Sequence, residues 1–125
     1  MTLMSTTAII LFAHGSRDPL WHRPIEAVAQ AIAARDPLTA VRCAYLELSQ
    51  PDLGTASTQL IAEGATHIRV FPMFLGVGKH AREDLPQLMA QLRQNHPDVE
   101  FELLPTAGES PQLTALMAEL ALGRA

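Results

Sequence analysis

The residues best suited to chemistry in this chain of 125 residues are two of its five histidines and one glutamate. His14 ends an apolar run and is followed by Gly15, Ser16, Arg17, Asp18 and Pro19, all residue types suited to a turn or a helix start. His80 lies just past Gly76 and Gly78, with Lys79 before it and Arg82 two residues on. Glu47 follows a second apolar run. Neutral imidazole with a carboxylate suits a borderline metal such as Fe, Co, Ni or Zn. Two or three protein ligands leave coordination positions open, and an imidazole can also act as a base near neutral pH. The three residues belong to separate segments, and no short metal motif such as His-Glu-x-x-His occurs. Scattered polar residues at strand ends are the competing account.

These residues become one site only if the fold brings their segments together. Residues 8–13 form a continuous apolar run rich in Ile and Leu, which fits a strand buried on both faces. Ile25, Val28, Ala29 and Ile32 recur at helical spacing and predict a helix over about 20–35, stopped at Asp36-Pro37. Residues 40–46 read as a second strand. Pro51 fits the first position of a helix carrying Leu53, Ala56, Leu60 and Ile61 and ending at Gly64. A third strand is expected at 67–72, a loop at 73–80, and a helix over about 81–95 with Leu85, Leu88 and Leu92 on one face. Residues 99–104 give the fourth strand. Ser110-Pro111 has the form of a cap followed by the first helical residue, with Leu113, Leu116, Met117 and Leu120 expected inward over a helix reaching about Leu122.

Four successive β-α units imply a flavodoxin-like three-layer fold: a four-stranded parallel sheet of order 2-1-3-4 with helices on both faces. In such a sheet every loop that follows a strand emerges at one edge, where ligands bind. His14, Glu47 and His80 all fall on that edge. His67 and His96 fall on the opposite one, His67 at a strand start and His96 at a helix C-terminus. His22 reads as a solvated residue of the first helix. Arg17, Lys79 and Arg82 lie beside the two edge histidines. A nearby cation disfavours a protonated imidazole, and the same cations suit an acidic ligand.

Composition limits the function classes. Apolar residues make up 48% and charged residues 18%, which excludes a disordered chain. One domain over residues 1–125 is expected. A net charge of −4 without a basic stripe argues against nucleic acid as a partner. The single Cys43 lies in an apolar run and reads as a reduced core residue, so a cytoplasmic setting is expected. The N-terminal segment lacks a basic cluster, and the run after it is too short for a signal peptide or a membrane span.

The segments also resemble a known family. Residues 12–19, Phe-Ala-His-Gly-Ser-Arg-Asp-Pro, resemble the N-terminal signature of the class II tetrapyrrole chelatases, specifically the short sirohydrochlorin cobaltochelatases. Tyr45-Leu46-Glu47-Leu48 resembles their second-strand segment. Residues 71–76 and 78–86 resemble the segment bearing their second histidine, with Lys79 where members often have glycine. The resemblance covers nearly the whole chain. It implies an enzyme that inserts a divalent metal, most simply Co2+ but also Ni2+ or Fe2+, into sirohydrochlorin for cobalamin- or sirohaem-type biosynthesis. The ion would be a substrate, with no permanently bound cofactor.

By the same resemblance His14 and His80 are the catalytic metal-handling pair, with Glu47 as a third participant that completes the coordination or relays protons. Arg17, Lys79 and Arg82 would meet carboxylates of the tetrapyrrole. Met73, Phe74, Leu75 and Val77 would wall the macrocycle, unless they are ordinary core, and Gly76 and Gly78 would let the loop move. No phosphate-binding Gly-x-x-x-x-Gly-Lys-Ser/Thr loop occurs, so ATP is not expected. The short form implies a homodimer with its cavity between subunits. Two rivals share the fold: a tetrapyrrole carrier or metallochaperone without turnover, and an anion or nucleotide binder built on the Gly15-Ser16 turn.

Overall fold

A computed structural model describes residues 6–125, so the first five residues of the expected domain lie outside it. Strands β1 (Thr7–Ala13), β2 (Ala40–Tyr45), β3 (His67–Pro72) and β4 (Glu100–Leu103) form one parallel sheet in the order β2-β1-β3-β4. This is the expected order. Ile10 of β1 stands level with Arg42 on one side and Val70 on the other, so the central strand is paired along its length. Its residues 10–13 are all buried, as an apolar run flanked on both sides requires.

Alternation along the strands divides the core in two. Ile10, Phe12, Ile68, Val70 and Phe101 face α2 (Leu53–Ala62) and α3 (Lys79–Asn95), meeting Leu60, Leu85, Met89 and Leu92. Leu11, Ala13 and Tyr45 face α1 (Arg23–Arg35), meeting Ile25, Val28 and Ile32. Cutting Ile10 or Leu60, both with no exposed surface, back to alanine costs about 2–5 kcal/mol.

Three helix boundaries differ from the sequence expectation. The first helix begins at Arg23, after a 3-10 turn at Pro19–His22. Pro24 has no N–H to donate to Leu20, so the α-helix starts where that N–H is not needed. Asp18 caps the turn by accepting from the Leu20 amide at 2.9 Å. In α2, Asp52 and not Pro51 sets the start, because its carboxylate accepts from the Thr55 amide at 2.8 Å. Helix α3 starts earlier than expected, at Lys79 with Gly78 as cap, and tolerates Pro86 on an exposed turn.

The largest departure is α4 (Pro111–Ala121). Ser110 caps it as expected, accepting from the Leu113 amide at 3.3 Å. Leu113 is half-buried, but Leu116, Met117 and Leu120 are exposed. The helix leaves a second 3-10 turn (Ala107–Glu109), its main packing neighbour, and does not fold back over the sheet. The turn itself is held to the loop after β3. The Gly108 amide donates to the Phe74 carbonyl at 2.9 Å, and a Cβ at Gly108 would lie 1.8 Å from the Leu75 carbonyl oxygen. That attachment sets the direction in which α4 departs.

Candidate functional site at the strand C-termini

Parallel pairing continues for one residue past β1. The Leu46 amide donates to the Ala13 carbonyl and the Glu47 amide to the His14 carbonyl, each at 2.9 Å. His14 and Glu47 are therefore neighbours by backbone register and not by flexible side chains. Gly15, at φ +105°, makes this possible: a Cβ there would lie 1.7 Å from the Glu47 carbonyl oxygen. Beneath His14 lies Phe74, with ring centroids 4.3 Å apart and planes 35° apart. Phe74 is buried and meets Phe12 edge-on at 6.0 Å. One face of the imidazole thus rests on the core while the residue stays exposed.

A second tie holds the same two loops. Ser49 Oγ donates to the Ser16 carbonyl at 2.7 Å and accepts from the Ser16 amide at 2.9 Å. His22 Nε2 lies 2.8 Å from the same oxygen. Since the hydroxyl proton is directed to Ser16, His22 donates here, which assigns its proton to Nε2. The His22 ring is half-buried, edge-on to Trp21 at 5.6 Å and to Tyr45 at 5.0 Å. Burial pushes the Tyr45 phenol up to about 12, with the neighbouring Cys43 and Glu26 adding to it. The phenol therefore stays neutral beside His22. Burial also raises the half-buried Cys43 thiol, helped by Glu26, so it is a poor nucleophile.

His14, Leu46, Glu47, Gly78, Lys79, His80, Ala81 and Asp84 line one cleft of about 490 Å³. Both edge histidines, Glu47 and Lys79 therefore converge, as the topology predicts. Among the described residues no three His, Cys, Asp or Glu side chains stand close enough to hold a metal ion together. The donors line an open cleft and do not form a closed coordination shell, an arrangement that leaves positions for incoming ligands.

The other expected contacts divide. Arg17 and Arg82 are exposed but do not line this cleft. Phe74 belongs to the core, Val77 is half-buried against the same core, and Met73 packs with the α1 side. Leu75 is the residue of that group that stands out, 63% exposed beside the second 3-10 turn, while Gly76 and Gly78 lie in open space. His67 opens β3 and bonds Glu102 at 3.1 Å, and His96 caps α3 near Phe101, both on the far edge as expected.

Two residues escaped the sequence reading. Asp84 follows His80 by one helical turn, a spacing that puts both on one face of α3 once the helix is known to start at Lys79. His22 read as a solvated helix residue. The 3-10 turn ahead of Pro24 places it on Ser49 instead.

Comparison with known proteins matches the sequence and the fold. The CbiX family model covers residues 8–122. The sirohydrochlorin cobaltochelatase of Methanocaldococcus jannaschii is 33% identical over 89 residues, which span 71% of this chain and 62% of that protein. The chain thus matches about three-fifths of that relative's length. The CbiX protein of Marinobacter aquaeolei VT8 superposes with a TM-score of 0.80 at 31% identity, covering 95% of this chain and 99% of that one. The sirohydrochlorin chelatase SirB from Bacillus subtilis subspecies spizizenii, solved in complex with cobalt, superposes with a TM-score of 0.76 at 25% identity, over 93% of this chain and 50% of that one. With a family match running from the first strand to the end of the last helix, on the strand order its own residues build, this chain belongs to the CbiX family.

Proposed function

We propose that the chain inserts a divalent metal, Co2+ before Ni2+ or Fe2+, into sirohydrochlorin without ATP. The observation that carries this is the pairing of His14 and His80 across one open cleft in a CbiX-family fold. The ion is a substrate and must be held loosely enough to leave. His14 and His80 offer it two imidazole nitrogens and leave its remaining positions to the pyrrole nitrogens. Insertion also releases two pyrrole protons. As the ion passes to the ring each imidazole is freed and accepts one of them, and Glu47 or Asp84 relays them outward. Lys79 supplies a cation inside the cleft, and Arg17 and Arg82 supply more around it for the carboxylates of the ring. Leu75 offers apolar surface to the macrocycle.

The protein works as a homodimer with the ring held between subunits, in the cytoplasm and away from the membrane. Among the described residues no helix is long and apolar enough to cross a membrane.

The test is metal-insertion absorbance with purified protein, sirohydrochlorin and Co2+, Ni2+ or Fe2+ in excess, without ATP. His14→Ala and His80→Ala each lower turnover by about 100-fold or more with unchanged circular dichroism. Near-normal turnover in either folded variant removes that histidine from the chemistry. Binding of one ring per site without further turnover makes the protein a carrier.

A further inference from the structure

Of Met73, Phe74, Leu75 and Val77, only Leu75 is left exposed beside the cleft. The strand order β2-β1-β3 puts the loop after β3, with Leu75, on one side of His14 and the loop after β2 on the other. In that second loop Leu48 stands between Glu47, which lines the cleft, and Ser49, which is tied to Ser16. Leu48 has a left-handed backbone, at φ +61°, and is 54% exposed. Glycine or asparagine adopts that backbone far more readily than leucine does. Neither core cluster contains Leu48. The fold thus bears a cost for this side chain and draws no core packing from it, a combination that points to function.

The 3-10 turn after β1 brings a second exposed apolar group to the same place. Leu20 and Trp21 are 60% and 36% exposed and belong to neither core cluster. His22 anchors this turn to the loop after β2, with Nε2 2.8 Å from Ser49 Oγ. Trp21 meets the His22 ring edge-on and lies 6.2 Å from the ring of Tyr45, at the end of β2. Trp21 and Leu48 are therefore each next in sequence to one member of the His22–Ser49 hydrogen bond. Arg17 and Arg23 stand exposed before and after the turn, while the arginine ion pairs among the described residues are made by Arg42 and Arg69. With strands about 4.8 Å apart, the loops after β2, β1 and β3 span about 10 Å of the sheet edge. An apolar surface of that breadth, bordered by cations free of ion pairs, suits a broad planar ligand with carboxylates on its rim.

We propose that Leu48 and Trp21 form an apolar shelf, across the His14 turn from Leu75, that binds the body of the macrocycle and fixes where it lies at the cleft. This rests on the chelatase reading above and names residues that hold its ring. The shelf meets the ring, whereas the ion meets His14 and His80. Removing the shelf therefore weakens tetrapyrrole binding and spares binding of the ion.

The test compares three measurements: binding of metal-free sirohydrochlorin by the ring's absorbance, binding of Co2+ alone by calorimetry, and unfolding in urea. Leu48→Gly keeps the left-handed backbone without a Cβ, so its unfolding midpoint equals or exceeds that of the wild type. It weakens ring binding about 10-fold and keeps Co2+ binding, and the loss in kcat/KM falls mainly on KM. Leu48→Met restores ring binding, and Leu48→Asn, which also suits the backbone, does not. Trp21→Ser weakens the ring to a similar extent, and Trp21→Phe recovers most of the loss. Wild-type ring affinity in either Leu48→Gly or Trp21→Ser overturns the shelf and leaves the chelatase reading standing. A lowered unfolding midpoint in Leu48→Gly assigns the leucine to packing and also overturns it. So does a parallel loss of Co2+ binding, which would place the effect at His14. A wild-type chain that binds no sirohydrochlorin overturns both the shelf and the reading on which it rests.

Discussion

His14 and His80 face the same cleft but are held in opposite ways. His14 follows a buried strand, rests on Phe74, and belongs to a loop tied to its neighbour at Gly15 and through Ser16, Ser49 and His22. His80 sits in the first turn of α3, behind a Gly78 cap that offers no side-chain bond, and after Gly76, around which there is open space. One histidine is placed by packing and hydrogen bonds of the fold, and the other stands in a helix turn without them. The chelation proposed above requires an ion to be held and then released to a ring. A fixed histidine opposite a less constrained one suits both, since release can start on the less constrained side.

The contrast can be broken from either side. The largest effect is expected from Gly15→Ala, which forces a side chain into a positive-φ position and onto the Glu47 carbonyl. A loss of about 3 kcal/mol in urea unfolding is expected, together with most of the activity. A stable, active variant would show that the two loops are not locked. Ser49→Ala leaves the Ser16 amide and carbonyl and the His22 nitrogen without their shared partner, and should cost about 1–2 kcal/mol. Its kcat should fall more than its affinity for Co2+, because His14 loses its setting but not its ligand atom. Equal losses in both would assign Ser49 to stability alone.

Asp52, which caps the helix after the tied loops, should cost about 1 kcal/mol when changed to Ala. The Thr55 amide, and then the Thr55 side chain, hold its carboxyl below the usual range. A depressed native value means the contribution is complete above the unfolded value near pH 4 and disappears as pH falls through the native one. The variant and the wild type should therefore differ at pH 6 and converge in acid, as followed by thermal unfolding. The smallest effect is expected on the less constrained side. Gly76→Ala meets no atom within 4 Å and should stabilise by about 0.4–1 kcal/mol through the unfolded state, while slowing turnover if the loop must move. Unchanged turnover would mean that the adjustment lies in His80 alone.

The same contrast explains what could be read from the residues in order. The β-α alternation, the strand order and the shared edge of His14, Glu47 and His80 follow from local apolar runs, turn residues and the handedness of parallel connections. The stripe of α4 was equally legible, but periodicity says which side of a helix is apolar and not what covers it. Leu116 and Leu120 read as core residues and are exposed because a distant contact, Gly108 on Leu75, aims the helix. His22 escaped because Pro24 moves the helix start past it. Asp84 escaped because α3 starts earlier than its apolar positions indicate, and Phe74 stayed open between cleft wall and core because burial beneath a histidine leaves no sequence pattern.

Phe74 has one further consequence. An aromatic ring 4.3 Å from the His14 imidazole places that imidazole in its ring current. The carbon-bound protons of His14 should resonate upfield of those of the other histidines, which makes His14 identifiable in a one-dimensional spectrum without labelling. The stack also makes it a built-in reporter: any ion or macrocycle that tilts the imidazole off Phe74 moves those signals, so occupancy of the fixed half of the cleft can be followed separately from His80.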